Sequence, residues 1–134
     1  MNVEDVGIQV LLSCEWWRDP PFCEIYIDDK VIDRLHVTNR SGDEVSTREV
    51  NFRGNLLYDD HKLIIRYLNK KEDDDLFDDN GMSVHLQSLI IEKIVINRIE
   101  VDLTLLKKSN VLIENGDWIL DFSVPTYLWL MEHS

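Results

Sequence analysis

The sequence predicts an all-β fold, an antiparallel β-sandwich that is jelly-roll-like and carries a short C-terminal helical turn. Three observations support this prediction. Apolar and polar residues alternate along many segments, which is typical of strands with one buried face. Turn-forming residues recur about every 8 to 12 residues, the spacing typical of sandwiches. Helical periodicity, with a period of about 3.6 residues, is hard to find.

The first half of the chain is predicted to form five strands. Val6 to Cys14 alternates, with its apolar side chains on one face. Phe22 to Val37 is predicted to be a β-hairpin, because Asp28-Asp29-Lys30 forms a tight turn between two alternating segments. The next two predicted strands are Val45 to Phe52 and His61 to Leu68, with a turn between them that Leu56, Leu57 and Tyr58 interrupt.

The second half begins with the densest run of β-forming residues, Leu86 to Leu106, which is expected to supply two strands around a turn or bulge at residues 97–98. Asn115-Gly116 predicts a hairpin that joins Val111 to Glu114 with Trp118 to Ser123. Pro125 is expected to end the last strand. The closing helical turn is predicted at Tyr127 to Met131, with three aromatic residues as core or closing contacts: Trp118, Tyr127 and Trp129.

The length and charge of the chain restrict its partners. A chain of 134 residues suits one domain over residues 1–134. The formal net charge is -12, with 26 acidic and 14 basic residues. This charge should repel phosphate backbones, so direct nucleic-acid binding is not expected. Divalent cations, neutral ligands such as sugars and basic protein surfaces stay open as partners, and the charge could also serve solubility alone.

No apolar stretch reaches the roughly 20 residues that span a bilayer, so no membrane partner is expected. The segment Met1 to Asp5 has neither a basic region nor an apolar signal core, which favours a cytoplasmic protein. Cys14 and Cys23 are then expected to be reduced, buried small hydrophobes. A disulfide between them across a hairpin is the alternative.

The segment from Lys70 to Asn80 carries six carboxylates between two strongly β-like regions. Crowded like charges cost free energy unless water, a cation or a basic partner screens them. Three interpretations are open: a solvated, mobile connection, a metal site, and a surface for a basic protein. Because Ca²⁺ prefers hard oxygen ligands, the candidate metal ligands are Asp73, Asp75, Asp78 and Asp79.

Trp16-Trp17-Arg18, in a loop ended by two prolines, is the second candidate site. Its aromatic rings could bind a sugar ring or anchor a protein interface. Adjacent residues on an extended chain face opposite ways, so one tryptophan is expected in the core and the other at the surface. The predicted partner-binding residues are Trp16, Trp17, Arg18, Glu72, Asp73, Asp74, Asp75, Asp78 and Asp79.

Signs of catalysis are few. The chain has no nucleophile elbow, no His-Glu pair at zincin spacing and no phosphate-binding glycine loop. Two carboxylates could still meet in space as in a glycosidase. The sequence nevertheless favours a protein that is not an enzyme, since its four histidines are scattered: His36, His61, His85 and His133.

Three stretches carry a family resemblance: Phe22 to Lys30, His61 to Tyr67 with the Asp-rich segment and Ile90 to Ile99, and Gly116 to Trp118 with Phe122 to Leu130. In this order they resemble calcium-dependent carbohydrate-binding-module-like β-sandwich domains, including small uncharacterised proteins of tailed phages. The resemblance implies a sandwich fold. It also implies Ca²⁺ held by carboxylates and backbone carbonyls of the 72–79 loop, with the metal coordinating sugar hydroxyls.

These observations favour a non-enzymatic, phage-type binding protein that acts in the host cytoplasm without a cofactor. It would dock on a host protein with a basic surface, for example as an inhibitor of a defence factor, through the acidic loop and an exposed tryptophan. One alternative is a calcium-dependent carbohydrate-binding module with a glycan partner. Another is a virion structural component, a homo-oligomer formed through an exposed edge strand or through Tyr127 to Met131.

Overall fold

The protein is described by a computed structural model of residues 2–134, without the side chains of residues 83–85. It confirms the predicted fold, an antiparallel β-sandwich of two sheets followed by a C-terminal helix. The chain crosses repeatedly from one sheet to the other. Among the described residues, no helix is both long and apolar enough to cross a membrane.

The described chain contains strands, two short 3₁₀ segments and one α-helix. The 3₁₀ segments are Glu72–Asp74 and Leu103–Leu106, and the helix α1 is Thr126–His133. The strands, in chain order, are β1 (Val3–Glu15), β2 (Phe22–Ile27), β3 (Lys30–His36), β4 (Arg48–Leu57), β5 (Asp60–Tyr67), β6 (Leu76–Phe77), β7 (Ser83–His85), β8 (Ser88–Ile96), β9 (Ile99–Glu100), β10 (Val111–Leu112) and β11 (Gly116–Ser123).

The strands form two main sheets and one small one. The first sheet has the order β10-β8-β1-β4, with β9 also paired to β8. The second sheet has the order β11-β5-β2-β3. Among the described residues, strands β6 and β7 pair only with each other. The core lies between the two main sheets, and β4 and β3 form edges of the first and second sheets.

Alternation along the strands builds this core. From Val6 to Leu12, strand β1 buries Val6, Ile8, Val10 and Leu12, while the residues that alternate with them are only partly buried. A bulge shifts the pairing of β1 with β8, because Leu11 is opposite Lys93 and Leu12 is opposite Ile91. The bulge keeps Ile91 and Ile94 both buried although they are three residues apart. Each fully buried aliphatic side chain contributes about 1.5 to 3 kcal/mol to folding.

Strand β4 differs from its predicted bounds. It begins at Arg48 and continues to Leu57, five residues past the predicted end at Phe52, so the turn predicted directly after Phe52 was wrong. Pairing with β1 explains the extension, since Val3 is opposite Leu57 and Leu12 is opposite Arg48. The long partner strand keeps β4 extended past residues that form a turn signal in isolation.

The predicted hairpin at Asn115-Gly116 was also wrong. Strand β10 pairs with β8 in the first sheet, whereas β11 pairs with β5 in the second. The turn therefore carries the chain between sheets. The Asn115 side chain accepts a hydrogen bond from the Lys70 N–H (2.7 Å) and donates one to the Lys70 carbonyl (3.0 Å). After Leu86, the second predicted strand is reduced to the two residues of β9.

The C-terminal segment is a helix of two turns, longer than the single turn predicted. Trp118 is buried and Trp129 is partly buried. The Trp129 and Phe122 rings pack edge to face, with their centroids 6.5 Å apart. The prediction that Tyr127 is a core contact was wrong, because 60% of this residue is exposed.

Both cysteines are buried and free, as expected for reduced thiols. Cys14 lies in the first sheet and Cys23 in the second, so they do not face each other across a hairpin. The Cys14 thiol donates to the carbonyls of Val37 and Asn39, each at 3.2 Å. Burial is the main cause that raises the pKa of each thiol to about 12.

His61 sits beside the turn that joins β2 to β3. Its Nδ1 lies 2.7 Å from Asp28 Oδ2 and its Nε2 lies 2.8 Å from the Leu57 carbonyl oxygen. Because both neighbours are acceptors, the arrangement favours the doubly protonated imidazolium. Burial is the largest influence and lowers the pKa of His61, but the hydrogen bonds to Asp28 and Leu57 outweigh it and the net pKa is raised.

Candidate functional site

The acidic segment folds into a hairpin of its own, here called the acidic hairpin (residues 72–86). It begins with the 3₁₀ segment Glu72–Asp74 and continues as the pair β6 and β7. Its strands do not join either main sheet. The six carboxylates predicted as a site are therefore carried on a separate structural unit beside the sandwich.

A largely buried ion pair joins the two ends of the acidic hairpin. The Lys70 ammonium donates to Asp75 Oδ1 (2.8 Å) and to the Gln87 carbonyl (2.6 Å). The Gln87 N–H donates to the same Asp75 oxygen (2.9 Å). The Lys70 side chain is 9% exposed and that of Asp75 is 23% exposed. This closed set of hydrogen bonds fixes where the chain leaves and re-enters the sandwich.

The tryptophan loop holds the side of the acidic hairpin. The Trp17 indole N–H donates to the Asp74 carbonyl, and Arg18 forms an ion pair with Asp73. The Arg18 guanidinium also lies over the Trp17 ring, 4.5 Å from its centroid. The structure thus brings together the two regions that the sequence identified separately.

The surroundings of the two tryptophans match the prediction only in part. One was expected in the core and the other at the surface, but both are partly buried. Trp16 packs against the core, and its N–H donates to the Thr38 carbonyl at 3.3 Å. Arg40 lies over the Trp16 ring at 4.7 Å. The loop leaves the extended conformation after Glu15, so the alternation of a strand does not apply to it.

Asp78 builds the turn at the tip of the acidic hairpin. Its Oδ1 accepts hydrogen bonds from the N–H groups of Asn80 and Met82, each at 2.9 Å. The Asp78 N–H donates to the Met82 carbonyl at 2.8 Å. Gly81 has φ +77°, a left-handed conformation that glycine adopts without strain. The tip is therefore ordered by local hydrogen bonds.

The carboxylates predicted as metal ligands have different surroundings. Asp73, Asp75 and Asp78 each accept hydrogen bonds from protein donors, as described above, whereas Asp79 lies exposed. Within the described part of the chain, no three His, Cys, Asp or Glu side chains come together so that they could hold a metal ion. Calcium binding stays a prediction.

A buried polar layer lies under the acidic hairpin. The Asp74 carboxylate accepts a hydrogen bond from the Lys71 N–H (2.7 Å) through Oδ2. Gln87 donates to the Asp19 carbonyl (2.7 Å) and approaches the Tyr67 hydroxyl at 3.5 Å. Burial raises the pKa of Tyr67 to about 12, and the charges of Asp74 and Asp75 act in the same direction. The Tyr67 phenol is consequently neutral at physiological pH.

The acidic hairpin also exposes large apolar side chains, which the sequence reasoning missed. The exposed fractions are 39% for Leu76, 55% for Phe77, 67% for Met82 and 44% for Leu86. The sequence does carry a signal for these exposed residues. Leu76 and Phe77 are an apolar pair inside a run of aspartates, and the residues on either side of the pair do not alternate between apolar and polar. Single exposed apolar residues are ordinary, but several on one small unit mark a candidate interaction surface.

A scan against protein-family models finds no match for this chain, and neither curated protein sequences nor solved structures give one. The resemblance to carbohydrate-binding modules accordingly stays a prediction.

Proposed function

We propose that this protein is a non-enzymatic binding protein that docks on a partner protein with a basic surface through the acidic hairpin. The observation that carries the proposal is the set of exposed apolar side chains among carboxylates on a hairpin that the sandwich holds in place. Binding sites of this kind combine apolar anchors with a polar rim.

Phe77 is the main anchor in this proposal. More than half of the residue is exposed, and Met82 lies beside its pairing partner Ser83. Transferring an exposed aromatic side chain into a fitting pocket contributes about 1.5 to 3 kcal/mol. Phe77 and Met82 together would provide the apolar part of a specific contact.

The carboxylates set the sign of the partner. Glu72 and Asp79 are exposed on the acidic hairpin and make no ion pair among the described residues. The net charge of -12 adds a long-range field of the same sign. A basic partner surface would be steered towards the hairpin, and the association would weaken as salt screens the charges.

The anchoring of the hairpin favours binding. The ion pair of Lys70 with Asp75, the Trp17 hydrogen bond and the turn built by Asp78 already hold the backbone in one conformation. A preordered element loses less conformational entropy on association than a flexible loop does. In this role Trp17 and Arg18 position the docking surface from behind.

In its finer form, the proposal is that the partner is a host-cell protein and that docking covers a functional basic site. A nucleic-acid-binding defence factor has a basic surface of this kind. The protein would then act as an inhibitor that occupies the site in place of a phosphate backbone.

The experiment compares wild type with the double variant Phe77→Ser/Met82→Ser. Proteins captured by wild type from an extract of the natural host cells are purified, and calorimetry measures their direct affinity. We expect a basic partner, a Kd that rises with salt, and at least about a tenfold loss in the double variant. The matched control is Leu105→Ser/Ile113→Ser, which removes two exposed apolar residues from other positions. Equal binding by both double variants would refute the docking surface.

A further inference from the structure

Strand β4 leaves a long sheet edge open. It pairs with β1 on one side, and no described strand pairs with its other side. At ten residues it is the longest edge strand in the described part of the two main sheets. Every second residue of such a strand directs its N–H and C=O groups away from the sheet, where they can pair with another strand.

The edge strand β11 already has one backbone acceptor occupied. The Lys108 ammonium donates to the Ile119 carbonyl of β11. Antiparallel pairing of two copies about Ile119 would also place Asp117 opposite Asp121 of the second copy. Like charges directly opposite each other destabilise a strand pair.

The remaining main-sheet edges are less suited to pairing with a second copy. In β3, pairing about Asp33 or Arg34 sets identical charges opposite each other, and pairing about Ile32 sets Lys30 opposite Arg34. At the other end of the first sheet, β9 and β10 have only two residues each. Strand β4 is therefore the longest of these edges, and its charges are compatible with pairing about a central residue.

We propose that β4 pairs antiparallel with β4 of a second copy of this chain about a twofold axis at Asn51. The two first sheets would then form one continuous sheet across the dimer. The outward side chains of β4, all exposed, are Glu49, Asn51, Arg53, Asn55 and Leu57. Residues opposite each other across the axis must point to the same face of the continuous sheet. This holds only when the twofold axis passes through a residue and not between two residues.

Only one central position gives complementary charges. With the axis at Asn51, Glu49 lies opposite Arg53 of the second copy, and symmetry repeats this pair. An axis at Phe52 would set Glu49 opposite Asn55, and an axis at Arg53 would set two arginines opposite each other. On the core side, the axis at Asn51 brings Val50 against the partly buried Phe52 ring of the second copy.

Strand β4 lacks the excess of negative charge that would repel a second copy elsewhere on the surface. Strand β4 contains two arginines and one glutamate, in a chain whose net charge is -12. Arg53 already pairs with Asp5 at 2.8 Å, and Glu49 accepts a hydrogen bond from Gln9. Both contacts are made to β1, so Glu49 and Arg53 of the second copy would be additional partners on the open side of β4.

The test is a charge exchange read out as solution mass. Sedimentation equilibrium from about 1 µM to about 1 mM should show wild type reaching twice its 15.8 kDa. Glu49→Arg and Arg53→Glu should each stay monomeric, because each sets like charges opposite each other. A 1:1 mixture of the two variants should recover the doubled mass, since opposite charges then meet twice. Glu114→Arg, the same charge change at another exposed position, should dimerise like wild type.

Three results would overturn the proposal: a monomeric wild type at every concentration, single variants that dimerise like wild type, or a mixture that stays monomeric. Circular dichroism of each variant checks that the fold is retained. The proposal does not depend on the docking function, because β4 and the acidic hairpin are separate elements.

Discussion

Replacing Lys70 by methionine should destabilise the protein far more than the same change at Lys71. The Lys70 ammonium makes two hydrogen bonds, to the Asp75 carboxylate and to the Gln87 carbonyl, and its side chain is only 9% exposed. Its removal leaves the Asp75 carboxylate largely buried without a counter-charge. Breaking a fully buried ion pair costs about 3 to 5 kcal/mol. Because 23% of the Asp75 side chain meets water, we expect about 2 to 3 kcal/mol.

Urea unfolding of a double-mutant cycle measures this effect. The variants are Lys70→Met, Asp75→Asn and both together, and the expected coupling energy is about 1 to 3 kcal/mol. Lys71→Met is the matched control, since its side chain is 63% exposed and its pair with Asp19 spans 3.4 Å. The control should cost less than about 0.5 kcal/mol. Equal costs at the two lysines, with no coupling between Lys70 and Asp75, would refute the argument that a buried pair closes the hairpin.

Three further predictions concern the thiols, His61 and calcium. Burial raises the pKa of Cys14 and Cys23 to about 12. A thiol reagent at pH 8 should therefore label neither cysteine in the native protein and both cysteines in urea. Rapid labelling of the native protein would contradict their burial. His61 has a raised pKa in the folded state, so its stabilisation is complete below the unfolded value of about 6.5 and is lost as pH rises through the folded value. The free energy of unfolding should fall over that range in wild type but not in His61→Gln, and parallel curves would exclude this linkage. Because protein donors already occupy the Asp73 and Asp75 carboxylates, millimolar Ca²⁺ should leave the Tm within about 1 °C of its value in EDTA. A Ca²⁺-specific rise in Tm that the double variant Asp73→Ala/Asp75→Ala abolishes would favour the carbohydrate-module alternative.

Local alternation was enough to predict the sandwich and the β2-β3 hairpin, because each depends on neighbouring residues. It could not assign β10 and β11 to different sheets, since Asn115-Gly116 forms a turn in either topology. The length of β4 was missed for a similar reason: its last residues are held extended by the start of β1, more than fifty positions earlier in the chain.

In the candidate site too, some features follow from neighbouring residues and others depend on contacts between distant parts of the chain. Carboxylates and tryptophans were selected from local runs of the sequence, but the Trp17 contact with Asp74 joins residues 57 positions apart. No local pattern predicts such a contact. Leu76 and Phe77 were overlooked because exposure depends on the acidic hairpin standing outside the main sheets, which is a property of the tertiary structure.

The most direct test of the docking account is site-specific photo-crosslinking in the natural host cells. A benzophenone amino acid replaces Phe77 at the acidic hairpin in one sample and Leu105, a comparably exposed residue outside it, in another. The account predicts a covalent adduct with one basic protein from position 77, no such adduct from position 105, and loss of the adduct when excess unmodified protein competes. A partner that crosslinks from position 105 and not from position 77 would contradict it.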